Sequence, residues 1–263
     1  MSTYSRGIDV SEHQGTIDWD SVYGSIDFAM LRAGYGRGNI DKQFVRNITE
    51  CNRLGIPCGV YWFSYALTAT DAAQEALYCL AAIEPYTVEY PVCFDFEYAS
   101  VEHASNAGVT VTKALASAMA QAFCGTLEAN FYYAMLYSNP DYLKRYFDSD
   151  TAARYDLWLA SWQTNPNPTS PPQSCGIWQY GATTISGIAG NVDGDISYND
   201  YPQILRDYGL NNLAQDVPAP WAAEAWEWAT AEGILDGLYP QNNMTREMGA
   251  TMLYRFAAKY GML

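Results

Sequence analysis

The stretch PVCFDFEYAS, residues 91–100, places two carboxylates inside an otherwise apolar run. Phe, Val, Cys and Tyr crowd this run without polar alternation, which predicts a strand buried on both faces. Because successive strand side chains point to opposite faces, we expect Asp95 and Glu97 to share one face. A buried charged side chain needs a partner or a function. The pair therefore binds an inward Arg or Lys, faces water at a strand end, or takes part in acid–base chemistry.

The spacing of the two acids suits one kind of chemistry. Adjacent carboxyl groups raise each other's cost of ionisation, so one is expected to keep a proton where the other has lost it. A general acid beside a carboxylate that stabilises positive charge needs this arrangement. The D-x-E pattern is short and common, and by itself it leaves the structural and the catalytic interpretations open.

Apolar strand-like runs recur along the chain and alternate with helical segments. The eight runs cover residues 4–11, 28–35, 57–65, 91–98, 133–139, 156–162, 176–181 and 192–197. Amphipathic helices are predicted between several of them, at residues 41–55, 68–85 and 109–130. This repetition predicts the α/β fold class, with a TIM-like parallel β/α barrel. A Pro-rich loop at residues 164–174 replaces one helix, so the last strand-loop units are expected to be irregular.

Composition excludes several classes of function. A formal net charge of −15 over 263 residues argues against nucleic acid as a partner, because phosphate binding needs clustered Lys and Arg. No apolar run reaches the length of about 18 residues that a membrane span requires. Six scattered cysteines without a C-x-x-C pair, and only two histidines, predict no metal site and no cofactor. The opening MSTYSRGIDV has no apolar signal-peptide core, which predicts synthesis in the cytoplasm.

Polar and aromatic residues fall late in the predicted strands. In a β/α barrel the carboxyl ends of the strands form the active site, so these side chains are expected to converge. They are Asp9, Tyr35, Tyr65, Asp95, Glu97, Tyr137 and Trp162. The convergence favours the catalytic interpretation of the D-x-E pair.

The chain changes character near residue 210. A linker-like run with two prolines precedes two predicted helices, at residues 221–237, closed by Gly233 or Gly237, and 244–263, capped by Thr245. We therefore predict a catalytic barrel at residues 1–210 and a small helical module at residues 213–263.

Several segments together resemble glycoside hydrolase family 25, the lysozymes that cut bacterial peptidoglycan. They occur in the family's order: GIDVSEHQGTIDW (7–19), FAMLRAGYG (28–36), GVYWFSYA (59–66), VCFDFEY (92–98), LYSN (136–139), LWLASW (157–162), IWQY (177–180) and GNVDGDIS (190–197). The resemblance covers residues 4 to about 208. The ordered set is far more specific than any one of its motifs.

The resemblance implies roles for four acids. Glu97 matches the general acid and Asp95 the carboxylate two residues before it, whereas Asp9 and Asp193 match two further acids of the site. Asp195 stands where the family often has Asn; Asp193 is favoured as the acid that faces substrate because it follows Val192. Three roles are open for Asp95: a nucleophile, a base that activates water, or a group that orients the sugar's own acetamido group. The resemblance favours the third role, with retention of configuration.

Aromatic and amide side chains complete the predicted sugar site, because pyranose rings stack on aromatic faces. The candidates for substrate binding are Tyr61, Phe63, Tyr137, Trp162, Gln179 and Tyr35. Core packing is the competing interpretation, above all for Phe63 and for Trp158, which shares a predicted strand face with Trp162. Arg32 is expected to pair with an acid, and His13 to be a loop or supporting residue.

The tail resembles one S-layer homology repeat, a module that binds cell-wall polymers. Two functions are open for the tail: binding to a secondary wall polymer and self-association into a homo-oligomer. Packing on the barrel would account equally for its apolar residues Trp221, Trp226, Trp228 and Leu253.

For the whole chain we predict an N-acetylmuramidase that cleaves the β-1,4 bond between N-acetylmuramic acid and N-acetylglucosamine in peptidoglycan. It would act on the wall after release, as phage endolysins do, or after non-standard secretion. The alternative is a catalytically inactive wall-binding protein. A chitinase-like barrel is disfavoured, since the strand lacks the longer D-x-x-D-x-D-x-E run.

Overall fold

The computed structural model of the chain describes residues 4–213, 218, 221–235, 237 and 246–262. They belong to two compact units, Met1–Pro202 and Gln203–Leu263. The described strands are β1 (Ser5–Val10), β2 (Phe28–Tyr35), β3 (Asn39–Ile40), β4 (Cys58–Phe63), β5 (Val92–Asp95), β6 (Ala134–Ser138), β7 (Asp156–Ala160), β8 (Ile177–Thr183) and β9 (Val192–Ser197). The described helices are α1 (Trp19–Val22), α2 (Phe44–Leu54), α3 (Ala69–Ile83), α4 (Tyr98–Asn106), α5 (Lys113–Ala129), α6 (Pro140–Tyr146), α7 (Ser149–Arg154), α8 (Tyr201–Tyr208), α9 (Ala223–Ala231) and α10 (Arg246–Lys259).

The first unit contains a closed eight-stranded barrel, which confirms the predicted fold class. Strands β1, β2, β4, β5, β6, β7 and β8 are parallel neighbours in that order, and β9 pairs with both β8 and β1 to close the ring. The short β3 forms a hairpin with the end of β2. All eight predicted strand runs correspond to barrel strands.

One feature of the barrel differs from the predicted parallel sheet: β9 runs antiparallel to both of its neighbours. Only residues 184–191 join β8 to β9. A parallel connection needs a crossover of about a dozen residues or more, whereas a short loop returns the chain in the opposite direction. The first residues of β9 therefore lie beside the carboxyl ends of the other barrel strands.

Alternation along each strand separates two packed regions. Outward-facing residues such as Val60, Phe94 and Leu136 pack with helix residues such as Ala76 and Phe123 in one continuous apolar core. The opposite faces fill the barrel interior, where space is short. A Cβ atom on Gly7 would lie 2.5 Å from the Phe28 ring, and one on Gly59 would lie 2.7 Å from Met30 Sδ. Glycine is therefore required at these two positions.

Local signals explain where several helices begin and end. The Thr68 side chain accepts the Asp71 N–H at the start of α3, Thr112 accepts the Leu115 N–H at the start of α5, and Gly55 ends α2 in the left-handed region. Helix α4 was not predicted. It begins directly after Glu97, whose backbone N–H donates to Ser100 Oγ at 3.1 Å. The predicted strand 91–98 therefore stops at Asp95, and Glu97 is the N-cap of α4.

The second unit contains the two tail helices. Its described part includes α9, closed by Glu232 and Gly233, and α10, whose Phe256 ring lies 6.4 Å from Trp228. An ion pair joins Lys259 Nζ to Glu232 at 2.8 Å. Trp221 and Leu253 are 90% and 72% exposed. Thr245, Pro220, the loop 238–240 and the Glu247 side chain lie outside the described residues, and the resemblance to an S-layer homology repeat and the predicted boundaries 1–210 and 213–263 stay predictions.

Two classes of feature are missing from the described residues. No helix within the described ranges is both long and apolar enough to cross a bilayer. The same part of the chain holds no group of three or more His, Cys, Asp or Glu side chains arranged to hold a metal ion.

A buried glutamate on α3 gives the fold a testable pH dependence. Glu75 is 2% exposed; its Oε1 accepts the Tyr65 N–H at 3.0 Å and its Oε2 has no hydrogen-bond partner among the described residues. Burial raises the pKa of Glu75 from 4.5 to about 7. Since the unfolded chain releases this proton at lower pH, the free energy of unfolding should fall as pH rises from about 4.5 to 7.

We therefore expect Glu75→Gln to gain stability over the wild type on the order of 3 kcal/mol between acidic and mildly alkaline pH. Urea unfolding of both proteins at several pH values measures the difference. A stability difference that stays constant with pH would show that folding does not raise the pKa of Glu75.

Candidate active site

A polar cavity of about 240 Å³ opens at the carboxyl ends of the parallel barrel strands. It is lined by Asp9, Ser11, His13, Gln14, Arg32, Tyr61, Phe63, Asp95, Glu97, Tyr137, Trp158, Gln179 and Asp193. A larger cavity of about 450 Å³ lies beside Asp156, where β7 begins. There the Asp156 carboxylate is already bound by Tyr133, Asn199 and Tyr201, so the smaller cavity, which brings four acids together, is the better candidate for chemistry.

The D-x-E pair lies at the centre of the polar cavity. Asp95 is the last residue of β5 and is 3% exposed, while Glu97 is partly exposed at the start of α4. Their carboxyl groups are in hydrogen-bond contact, which requires a shared proton. Burial raises the pKa of both acids, and it raises that of Asp95 further because Asp95 is the more enclosed. The free site therefore keeps a proton on this pair at a pH where an ordinary carboxyl group has lost it.

Asp9 and Gln179 form the opposite side of the cavity. Gln179 Nε2 donates to Asp9 Oδ2 at 2.8 Å. Gln179 Oε1 in turn accepts hydrogen bonds from Tyr137 OH and Trp162 Nε1, both at 3.1 Å. Burial, with the nearby charge of Asp193, raises the pKa of Asp9 to about 8. Four side chains predicted to bind or act on substrate are thus joined in one hydrogen-bonded chain.

Asp193 and Asp195 both point into the barrel but lie at different depths. Asp193 lines the cavity and is the register partner of Asp9. Asp195 lies one inward position deeper, is 0% exposed, and accepts the Trp158 Nε1 hydrogen at 2.7 Å. Asp193 is therefore the acid open to the cleft, as the sequence favoured.

The predicted aromatic residues separate into wall and rim. Tyr61 and Tyr137 each pack edge-on against Trp158, with ring centroids 5.6 and 4.7 Å apart, and Phe63 is a half-buried wall residue. Trp158 itself is 1% exposed and bonded to Asp195, so it supports the wall. Trp162 lies beyond the end of β7 and is 61% exposed, where it presents a flat face beside Gln179.

Tyr35 does not reach the polar cavity. Its ring lies 5.5 Å from the Arg32 guanidinium and edge-on to Tyr65. The register between β2 and β4 shifts between Arg32 and Gly34, after which Tyr35 is the register partner of Phe63. Tyr35 therefore contacts a residue of the cavity wall without lining the cavity itself, and its role in substrate binding stays a prediction.

Arg32 pairs with acids, as the sequence predicted. Its Nε lies 2.8 Å from Asp41 Oδ2 and its guanidinium 3.1 Å from Glu12 Oε1. His13 Nε2 lies 3.5 Å from the same guanidinium. The Asp41 pairing was missed because Asp41 follows a strand end and resembles an ordinary helix-start acid.

Ser11 and Gln14 also line the cavity and were not among the predicted site residues. They form a reciprocal cap on the short 3-10 turn Glu12–Gln14: Ser11 N–H donates to Gln14 Oε1 at 2.8 Å and His13 N–H donates to Ser11 Oγ at 3.2 Å. The S-x-x-Q spacing that begins two residues after Asp9 is the sequence signal that identifies such a cap.

The chain is similar to known proteins in sequence and in fold. The model of glycosyl hydrolases family 25 matches residues 8–188. Lysozyme M1 of Streptomyces globisporus is 26% identical over 208 residues, which cover 74% of this chain and 67% of that protein.

The chain is also similar to solved structures. The modular autolysin LytC of Streptococcus pneumoniae is 28% identical in sequence, with a TM-score of 0.61. The match covers 73% of this chain and 46% of the autolysin chain. A second structure of that autolysin contains a synthetic peptidoglycan ligand. This chain thus spans slightly less than half of the autolysin. A lysozyme of Streptomyces coelicolor, 23% identical with a TM-score of 0.63 over 80% of this chain and 98% of its own, has the same fold. Because the family model matches well over half of its residues, the chain belongs to the glycosyl hydrolases family 25.

Proposed function

We propose that the chain is an N-acetylmuramidase that hydrolyses the β-1,4 bond between N-acetylmuramic acid and N-acetylglucosamine in bacterial peptidoglycan. The observation that carries the proposal is the convergence of Asp9, Asp95, Glu97 and Asp193 in one cleft with an aromatic wall. Glycoside cleavage needs a proton for the leaving oxygen and negative charge near an oxocarbenium-like centre, and this cleft offers both. Family membership and the peptidoglycan ligand of the related autolysin support the choice of substrate.

Glu97 is the proposed general acid. It borders the cavity and remains partly exposed, so it can reach a glycosidic oxygen. A sugar ring seated against it would remove the remaining water, and this desolvation would raise the pKa of Glu97 further. The proton shared with Asp95 can then pass along their hydrogen bond to Glu97 and on to the leaving group.

The contact between Asp95 and Glu97 bears on the role of Asp95. A direct nucleophile lies about 5–5.5 Å from its acid and an inverting base about 6.5–9.5 Å away, to leave room for the sugar or a water. A hydrogen-bonded pair leaves neither space. This favours Asp95 as the group that stores the proton and orients the sugar's acetamido group, with retention of configuration.

The competing function is a wall-binding protein without catalysis. Four converging acids disfavour it, because a binder gains nothing from carboxyl groups that are costly to bury. Incubation of the protein with purified walls tests the two functions: hydrolysis lowers turbidity and creates reducing ends, whereas binding alone leaves both unchanged.

The proposal includes synthesis in the cytoplasm followed by action on the wall. Fractionation of producing cells tests this localisation.

The tail is proposed to bind a secondary wall polymer or a second copy of the chain. The support is its exposed apolar surface, with Trp221 and Leu253 mostly in water and Trp228 46% exposed. Exposed apolar patches of this kind commonly mark interaction sites.

Removal of residues 211–263 should leave turnover on soluble glycan fragments unchanged, because none of the four acids is removed. If the tail binds polymer, co-sedimentation with intact walls should fall; if it self-associates, the mass from light scattering should drop to that of a monomer. The paired substitution of Trp221 and Leu253 by Ala is the milder matched variant and should have the same effect. If neither wall binding nor mass changes, both tail proposals are wrong.

A further inference from the structure

Asp195 is the most enclosed acid near the site. It is 0% exposed on β9, where its register partners are Gly7 of β1 and Gln179 of β8. An ionised carboxylate at such a position needs donors for both oxygens. Trp158 Nε1 supplies one, to Oδ1 at 2.7 Å, but no N–H or O–H group among the described residues donates to Oδ2.

The surroundings of Asp195 hold negative rather than positive charge. The titratable groups that act on it are Asp9 on β1, Asp193 on its own strand and Tyr137 on β6; none of them is a cation. Its carboxyl is in hydrogen-bond contact with that of Asp9. Two carboxyl groups form such a bond only when at least one of them carries a proton.

We propose that Asp195 is a protonated positioning residue that donates its O–H to Asp9 and so fixes the Asp9 carboxyl at the floor of the cleft. Gln179 Nε2 is then the first donor to Asp9 and Asp195 the second. Asp195 is the member of the pair that keeps the proton because it is the more enclosed: it is 0% exposed, whereas Asp9 is 8% exposed and lines the cleft. Burial, followed by the charge of Asp9, raises the pKa of Asp195 well above its usual range. The role in catalysis rests on the proposed hydrolase function, whereas the protonation state does not.

Comparison of the wild type with Asp195→Asn tests the protonation state without any substrate. The amide has the same shape, accepts the Trp158 hydrogen and donates to Asp9, but it cannot ionise. An unfolded Asp releases its proton near pH 3.9, whereas the folded wild type must keep it, so rising pH should favour the unfolded wild type. The folding equilibrium constant of the wild type, relative to Asp195→Asn, should therefore fall about tenfold per pH unit between about pH 5 and pH 7.5. A ratio that does not change with pH would mean an ionised Asp195 and overturn the proposal.

Turnover on soluble glycan fragments tests the positioning role. Asp195→Asn should stay close to the wild type, whereas Asp195→Ala, which removes donor and acceptor, should lose about tenfold to a hundredfold in turnover. If Asp195→Ala does not fold, the turnover of Asp195→Asn alone tests the positioning role. An asparagine variant that folds but loses activity in parallel with a folded alanine variant overturns the positioning role. If the wild type cleaves no glycan, the hydrolase proposal fails while the pH dependence of folding still tests the protonated state.

Discussion

Glu97→Gln is expected to lower turnover on soluble peptidoglycan fragments by roughly 10²–10⁴-fold, the usual effect of losing a general acid. Glutamine keeps the shape of the side chain and can still bond to Asp95, but it has no proton to transfer. The start of α4 should survive, because the backbone N–H of residue 97 donates to Ser100 Oγ and glutamine leaves this bond in place. The loss should therefore appear in kcat, with KM nearly unchanged.

The matched control for Glu97→Gln is Glu102→Gln on the same helix. Glu102 is exposed and does not line the cavity, so the same chemical change there should leave turnover at the wild-type level. Circular dichroism of both variants checks that α4 is intact. Near wild-type turnover by Glu97→Gln would contradict its role as general acid.

Asp95→Asn is expected to lower turnover by roughly 10²–10³-fold, the range seen when a preorganised electrostatic group is removed. The loss should again fall on kcat, because the negative charge acts on the transition state more than on bound substrate. Stability should hold or improve at neutral pH, since the buried carboxyl has a raised pKa and an unpaired Oδ1. Kinetics together with thermal unfolding of the variant measure both effects.

The double variant Asp95→Asn with Glu97→Gln extends this test. Residues that act as one unit lose activity non-additively, so the double variant should be little worse than Glu97→Gln alone. Losses that multiply would mean two independent contributions and contradict a shared proton. An Asp95→Asn variant that changes only KM would assign Asp95 to substrate binding.

Most barrel strands could be predicted from the sequence because they are short apolar runs with a break at both ends. The end of β5 could not. The apolar run continues to Tyr98, but Ser100 accepts the Glu97 N–H, so the strand ends three residues earlier than the pattern indicates and a helix begins at Tyr98. The direction of β9 was also missed, because apolar patterning is the same for parallel and antiparallel neighbours.

The site was predicted in outline because barrel strands bring their carboxyl ends together. The contacts within it depend on distances that the sequence does not contain: Gln179 and Asp9 are 170 positions apart, and Trp158 and Asp195 are 37 apart. The sequence also does not show how deeply each side chain is buried. Trp158 and Trp162 were grouped together, yet β7 ends at Ala160, so one is buried in the wall and the other lies open at the rim.

The chemical identity of the new reducing ends tests the central claim most directly. Purified walls digested by the wild type are reduced with borohydride and hydrolysed, and the resulting sugar alcohols are identified, with the Glu97→Gln protein as the blank. A muramidase leaves N-acetylmuramic acid at the reducing end, so the alcohol of muramic acid should appear in proportion to lysis. The alcohol of glucosamine in its place would mean cleavage of the other glycosidic bond. Lysis without any new reducing end would contradict glycoside hydrolysis altogether.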